Sequence, residues 1–250
     1  MCFFYALSQT AQRLKNRYQL KFEFEFEFEA EYARAFHEPK YYVSGFDYPQ
    51  MPVITNQKPD TIQTYTWGLI PFWVKSPADA AVIRSKTLNA RSDTVLTKPS
   101  YRNAIRRKRC LVPADGFYEW QTMGGKKYPY YIRLKDRDIF SMAGLWDEWS
   151  NASTGEVLKT FSILTTEANP LMETIHNTKK RMPVILPKEK EWEWLQNDMA
   201  PEEILALAKP LNEELMEAYT ISKLITSRNS DRNVPAIQEA YDYPELKRGL

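Results

Sequence analysis

Cysteine at position 2, directly after the initiator Met1, is the residue with the richest chemistry open to it. Aminopeptidases remove Met before a small residue, so the mature chain is expected to begin at Cys2. Its thiol and a free α-amine would then sit on adjacent carbons. The amine titrates near pH ~8 and the thiol near ~8.5, so each has a reactive fraction at neutral pH. A 1,2-aminothiol condenses with an aldehyde through a Schiff base and closes to a five-membered thiazolidine, which an internal cysteine cannot do. Position alone does not establish this role; a bare second-position cysteine is more often incidental, and partners are needed elsewhere in the chain.

Three segments supply candidates. Residues 88–93 read LNARSD. Asn89 offers a neutral donor and acceptor, and Arg91 a rigid fork suited to phosphate. Residues 110–120 read CLVPADGFYEW, an apolar stretch in which Glu119 stands between Tyr118 and Trp120. Burial would raise the Glu119 pKa and fit it for acid–base work. Strand alternation equally allows Tyr118 and Trp120 to be core while Glu119 faces solvent. Residues 175–186 read IHNTKKRMPVIL, with His176 closing a helix before the basic Lys179-Lys180-Arg181. A lone histidine is more often structural than catalytic, and none of the three segments decides the matter alone.

Other chemistries are set aside. The chain has no GxxxxGK[ST] or GxGxxG phosphate cradle and no GxSxG nucleophile elbow. Its 2 cysteines and 2 histidines have no zinc-site spacing, so neither metal nor cofactor is expected. His37, in a polar stretch, is read as incidental, and Cys110 as a buried structural thiol. The net charge of +2 does not announce a nucleic-acid binder, so any such site must come from local clusters such as 106–109 (RRKR) and 179–181 (KKR). No apolar run reaches the ~18 residues of a membrane span, and no basic segment precedes the short apolar N-terminus. A reducing cytoplasm is the expected compartment.

These residues need elements to position them. With 250 residues and 43% hydrophobic content the chain can bury a large core, and one domain over 1–250 is expected. Helical periodicity marks 9–18 and 100–108, then 168–175, 188–195, 202–208 and 212–218. Strict alternation of Phe and Glu over 22–29 reads as an amphipathic strand with a solvated acidic face. Further strands are read at 41–46, 110–112, 117–121, 128–134, 139–146 and 160–165. Gly124-Gly125 marks a hairpin turn. Strands and helices mix without a βαβ rhythm, so the expectation is α+β, a mixed curled sheet or barrel-like core with peripheral helices.

Taken in order, Cys2, WGLIPFW (67–73), LNARSD, RCLVPADGFYEW (109–120) and HNTKKRMPVIL (176–186) resemble the SOS-response-associated peptidase family, whose members crosslink to abasic sites in DNA. The resemblance runs from about residue 2 to 186. It implies that Cys2 forms the thiazolidine with the ring-opened sugar aldehyde. Asn89 would orient the N-terminal cysteine, Glu119 would shuttle protons, and His176 would assist ring opening or protonate the intermediate. Arg91 and Arg181 would contact DNA phosphate, and Phe72 and Trp73 would be an aromatic wedge stacking on bases beside the gap. The implied partner is single-stranded DNA containing abasic sites, bound by a monomer with no membrane association.

The chain departs from the family pattern twice. It starts Cys2-Phe3-Phe4 where the family has Cys-Gly-Arg, and three extra residues separate His176 from Arg181. Two other functions stay open at this point. One is a thiol peptidase that removes its own N-terminal residue or cuts other peptides; the other is a non-catalytic single-strand-binding module.

Overall fold

The computed structural model describes residues 2–23 and 38–246. Its centre is a closed five-stranded barrel of β4 (Gln50–Thr55), β5 (Lys58–Trp67), β7 (Arg109–Ala114), β10 (Phe140–Ser150) and β11 (Val157–Glu167). The strands follow one another antiparallel, and a parallel pairing of β11 with β5, Phe161 opposite Trp67, closes the ring. Val, Ile, Thr and aromatic side chains dominate these strands, as a pleated, buried surface favours. Trp67 and Phe161, both fully buried, stack across the closure at 6.1 Å. Burial of each such ring contributes ~1.5–3 kcal/mol.

A second sheet has the order β14 (Met216–Thr220), β9 (Lys126–Leu134), β8 (Gly116–Met123), β1 (Phe4–Leu7), β3 (Lys40–Ser44). β8 and β9 form the hairpin expected at Gly124-Gly125, where φ is +57° and +75°. Two successive positive φ values define the turn whose twist suits a two-residue hairpin. Short strands decorate the barrel: β2 (Lys21–Phe22) on β5, β6 (Asn89–Arg91) and β12 (Arg181–Pro183) on β11, and β13 (Ile185–Leu186) on β10.

Helices lie at the periphery: α1 (Ala11–Tyr18), α2 (Pro77–Arg84), α3 (Ala104–Arg107), α4 (Pro170–Ile175), α5 (Glu191–Trp194) and α6 (Pro201–Leu207). The mixed α+β architecture with a barrel-like core is as the sequence led one to expect. Among the described residues no helix is long and apolar enough to cross a membrane. The Phe/Glu alternation beyond Glu23, and His37, lie outside the described residues.

Some elements differ from expectation. Residues 212–218 do not form a helix. Asn212 accepts from the Glu214 N–H and closes a single 3-10 turn over Glu213–Leu215, after which Met216–Thr220 pairs with β9 as an edge strand. Pairing with β9 overrides the helix propensity of Glu, Leu and Met. The segment 188–195 splits into a 3-10 turn (Lys188–Lys190) and α5. The aromatic stretch after Trp67 leaves the barrel at Gly68, whose φ is +110° and whose space a Cβ would share with Arg84 Cγ at 2.7 Å.

Candidate active site

Cys2 enters the second sheet just before β1 and is fully buried. Its Sγ points to the Phe4 carbonyl oxygen at 3.7 Å. Burial pushes the thiol pKa well up, and the Glu119 carboxylate pushes it further. The thiol is therefore protonated at neutral pH, and its sulfur needs a proton acceptor to react. Phe3 and Phe4 occupy the positions where the family has Gly and Arg. They join an aromatic group with Phe46 (ring centroids 5.0 and 5.8 Å), and Phe4 also packs on Tyr42 and Trp120.

Glu119 is on β8, two residues along from Phe117, the β1 partner of Tyr5. Tyr118 and Glu119 are both buried, so both faces of β8 are covered here and Glu119 does not face solvent. Burial raises its pKa to about 7. His176 caps the C-terminus of α4, its N–H bonded to the Met172 carbonyl. Helix α4 is tied to β8 through Gln121 and Thr174, and through a reciprocal pair between Asn177 and Thr122. That docking sets His176 Nδ1 3.8 Å from Glu119 Oε1.

His176 Nδ1 also lies 2.8 Å from the Arg181 carbonyl oxygen. A carbonyl only accepts, so Nδ1 carries the proton and Nε2 of the neutral ring keeps its lone pair. Burial, reinforced by the positive charges of Arg181 and Lys179, holds the imidazole below the ordinary histidine range. The three extra residues before Arg181 are looped out. Lys179 and Lys180 N–H groups both return to the His176 carbonyl, and Lys180 takes φ +48°. The insertion therefore leaves the histidine anchored to the Arg181 backbone.

Asn89, Arg91 and Arg181 gather at one end of β11. Asn89 pairs with Ile163, Arg91 with Thr165, and Arg181 with Glu167 from the other side. Asn89 is buried, yet neither Oδ1 nor Nδ2 has a hydrogen-bond partner among the described residues. A buried amide without partners costs ~1–3 kcal/mol. Its backbone is held by Tyr101, whose hydroxyl donates to the Asn89 carbonyl at 3.0 Å. Arg91 is exposed and forks onto Asp93 at 2.5 and 3.1 Å. Arg181 is buried, donates to the Thr165 carbonyl at 2.7 Å and stands 3.7 Å from Asp93.

Phe72 and Trp73 are 55% and 43% exposed, an unusual placement for two adjacent large aromatic rings. The loop that carries them is clamped from beneath. The buried Asp147 carboxylate accepts the Phe72 N–H at 3.0 Å, the Trp149 indole donates to the Val74 carbonyl at 2.6 Å, and Thr160 Oγ1 accepts the Ile70 N–H at 2.9 Å.

Two features near the candidate site escape sequence reasoning. Asp147 is one, because its contact with Phe72 spans the barrel. Tyr5 is the other. Its buried hydroxyl has no hydrogen-bond partner among the described residues, and burial together with the nearby Cys2 holds its pKa up. Nothing distinguished Tyr5 within the apolar run that contains it. Cys110 is fully buried. The basic run 106–109 is not uniform: Arg109 is fully buried and donates to the carbonyls of Ile105, Arg106, Trp194 and Gln196.

Buried Cys2 and Glu119 thus lie within electrostatic reach of each other, His176 stands against Glu119, Asn89 is buried on β6 beside β11, and Phe72 and Trp73 form an exposed aromatic pair. Comparison with known proteins identifies the family. The family profile of SOS response associated peptidase (SRAP) matches residues 1–228. The chain therefore belongs to the SRAP family. It is 39% identical over 193 residues to the abasic site processing protein YoqW of Bacillus subtilis, covering 76% of this chain and 82% of that one. It is 37% identical over 186 residues to the abasic site processing protein HMCES of Gallus gallus, covering 66% of this chain and 54% of that longer protein. A crystal structure of a Bacteroides thetaiotaomicron protein superposes with a TM-score of 0.88 at 42% identity, covering 96% of this chain and all of that one.

Proposed function

We propose that this protein recognises abasic sites in single-stranded DNA and links itself covalently to them through Cys2 once Met1 is removed. The observation that carries the reading is the burial of Cys2 within electrostatic reach of Glu119, whose pKa is raised to about 7. The family membership and the names of the relatives support the substrate class.

The chemistry follows from these groups. An abasic sugar opens to an aldehyde. The Cys2 amine adds to the carbonyl carbon and gives a carbinolamine. Glu119 in its acid form gives a proton to the departing hydroxyl, and water leaves as the iminium forms. The carboxylate so produced takes the thiol proton as Sγ adds to the iminium carbon. One C–N and one C–S bond are made, one water is released, and Glu119 returns to its starting state. A carboxyl with pKa near 7 holds both forms in comparable amounts and serves both steps. Asn89 orients the amine. His176, a neutral imidazole beside Glu119, moves the proton of the sugar hydroxyl during ring opening. Arg91 and Arg181 meet phosphate, and Phe72 and Trp73 stack on the bases that flank the gap, a contact tolerant of sequence.

The trap has a purpose. An iminium is an electron sink that permits β-elimination and strand cleavage. A thiazolidine has no such sink, so the strand stays intact. The test is incubation of the protein with a single-stranded oligonucleotide bearing one abasic site, followed by a denaturing gel. A heat-stable adduct is expected for the wild type. Cys2→Ala keeps the terminal amine and is expected to give cleaved strand instead. Adduct formation by Cys2→Ala equal to the wild type would overturn the thiazolidine. Cleavage of a test peptide without DNA would favour the peptidase.

A further inference from the structure

Beside Phe72 the surface opens into a pocket of about 510 Å³, lined by Phe72, Arg106, Arg107, Lys108 and Asp147 among others. That size falls within the ~300–1,000 Å³ of small-ligand sites. Its wall combines an exposed aromatic ring with three cations and one carboxylate.

The cations are not equivalent. Lys108 Nζ is paired with Asp147 at 2.6 Å and lies 5.8 Å from the Phe72 ring. Arg106 and Arg107 are exposed, and neither guanidinium has an ion-pair partner among the described residues. Arg109 fixes their direction. By donating inward to the carbonyls of Ile105 and Arg106 at 2.8 and 2.9 Å, it binds the last turn of α3 to the core. The two preceding arginines are left at the surface beside Phe72.

Strand β10 places this pocket relative to the reaction site. Asp147 lies three residues from Gly144, whose partner Ile163 pairs with Asn89. Three residues of strand span ~10 Å. Asp147 is thus offset from Asn89 by that distance along the strands and by two strand spacings across them, so the pocket is separate from Asn89. A flat ring to stack on, beside two arginine forks, matches a nucleobase and its phosphate.

We propose that this pocket is a subsite for a nucleotide flanking the lesion in single-stranded DNA, with its base against Phe72 and its phosphate on Arg106 and Arg107. The assignment rests on the DNA reading given above. It adds a phosphate grip on one flank of the gap, beyond the contacts of Arg91 and Arg181, so that the protein binds the two flanks unequally.

The experiment uses single-stranded oligonucleotides carrying a tetrahydrofuran abasic analogue, which has no aldehyde and cannot crosslink. Affinity is read by fluorescence anisotropy across a salt series. The Arg106→Ala/Arg107→Ala variant is expected to bind about fivefold more weakly at moderate salt. Its log–log salt slope should be shallower by about 1.4, as loss of two single-strand phosphate contacts requires. Phe72→Ala is expected to lose about five- to a hundredfold in affinity with the slope kept. Shortening one flank should erase the difference between the arginine variant and the wild type, and shortening the other should not. Lys188→Ala/Lys190→Ala, a charge-matched control elsewhere on the surface, should keep the wild-type slope.

An arginine variant indistinguishable from the wild type overturns the subsite, as does an equal slope loss in the lysine control or a difference that survives both truncations. Crosslinking of a natural abasic oligonucleotide by the wild type is scored separately. Its failure with analogue binding intact defeats the covalent reading and leaves the subsite standing; absence of all binding defeats both.

Discussion

Glu119 Oε1 stands 3.8 Å from Nδ1 of His176, and both side chains are buried. Helix α4 brings the histidine and β8 the carboxylate, so the distance depends on the docking of one element on the other. Burial moves the two groups in opposite senses, the carboxyl up to about 7 and the imidazole down. Near pH 7 the imidazole is therefore neutral and the carboxyl is present in both forms, so each group is able to pass a proton.

The pH profile of crosslinking follows from this. Below pH ~8 the reaction needs deprotonation of the terminal amine, so its rate rises with pH. Above about 7 the acid form of Glu119 is depleted tenfold per unit. Single-turnover rates of adduct formation should trace a bell with its maximum between about pH 7 and 8. Glu119→Gln should lower the rate by ~10²–10⁴ and remove the alkaline fall. A profile unchanged in shape in Glu119→Gln would exclude Glu119 as the acid.

Stability carries the same signature. The Glu119 carboxyl is an acid whose folded pKa is raised, so the native state binds more protons than the unfolded chain between pH ~4.3 and about 7. Its contribution is intact below that window and is lost as pH rises through it. The loss is on the order of 3 kcal/mol. Thermal melts at pH 5 and pH 8 should differ by several degrees less in Glu119→Gln than in the wild type.

Asn89 separates function from stability. Its buried amide has no hydrogen-bond partner among the described residues, so Asn89→Ala removes an unfavourable group while opening only a small space. Unfolding free energy is expected to stay within ~1 kcal/mol of the wild type, while the crosslinking rate falls at least about tenfold. A large destabilisation with normal crosslinking per folded molecule would make Asn89 a structural residue.

Asp147 anchors the aromatic pair. Its carboxylate accepts from Phe72 N–H at 3.0 Å, Glu148 N–H at 2.9 Å and Lys108 Nζ at 2.6 Å. Asp147→Ala leaves those donors without an acceptor and should cost ~2–4 kcal/mol. Asp147→Asn keeps an acceptor oxygen for the loop and should cost less. Titration with single-stranded DNA should show affinity falling in the order wild type, Asn, Ala. Equal affinity in all three would detach the Phe72 loop from binding.

The residues proposed to react were picked out in the sequence because they lie in short, recognisable segments. Cys2, Asn89, Glu119 and His176 each stand in a motif, and the β8–β9 hairpin is announced by alternation around Gly124-Gly125. The barrel itself was less legible. Its closure rests on Phe161 meeting Trp67, a parallel pairing of strands 94 residues apart that no local pattern encodes. Asp147 was missed for the same reason, since it holds Phe72, a residue distant in sequence, and Tyr5 because nothing marked it within its apolar run. Arg109 looks like its basic neighbours in sequence, and only the carbonyls converging on it show that it is interior. At 212–218 local propensity pointed to helix, and the free edge of β9 determined a strand instead.

The central claim is tested most directly by intact mass after mixing the purified protein with a single-stranded oligonucleotide containing one natural abasic site. The account predicts a species equal to the protein without Met1, plus the oligonucleotide, minus one water, stable to heat and absent in Cys2→Ala. A protein shown to lack Met1 that gives no such species, or an adduct of the same mass in Cys2→Ala after allowing for the substitution, would contradict it.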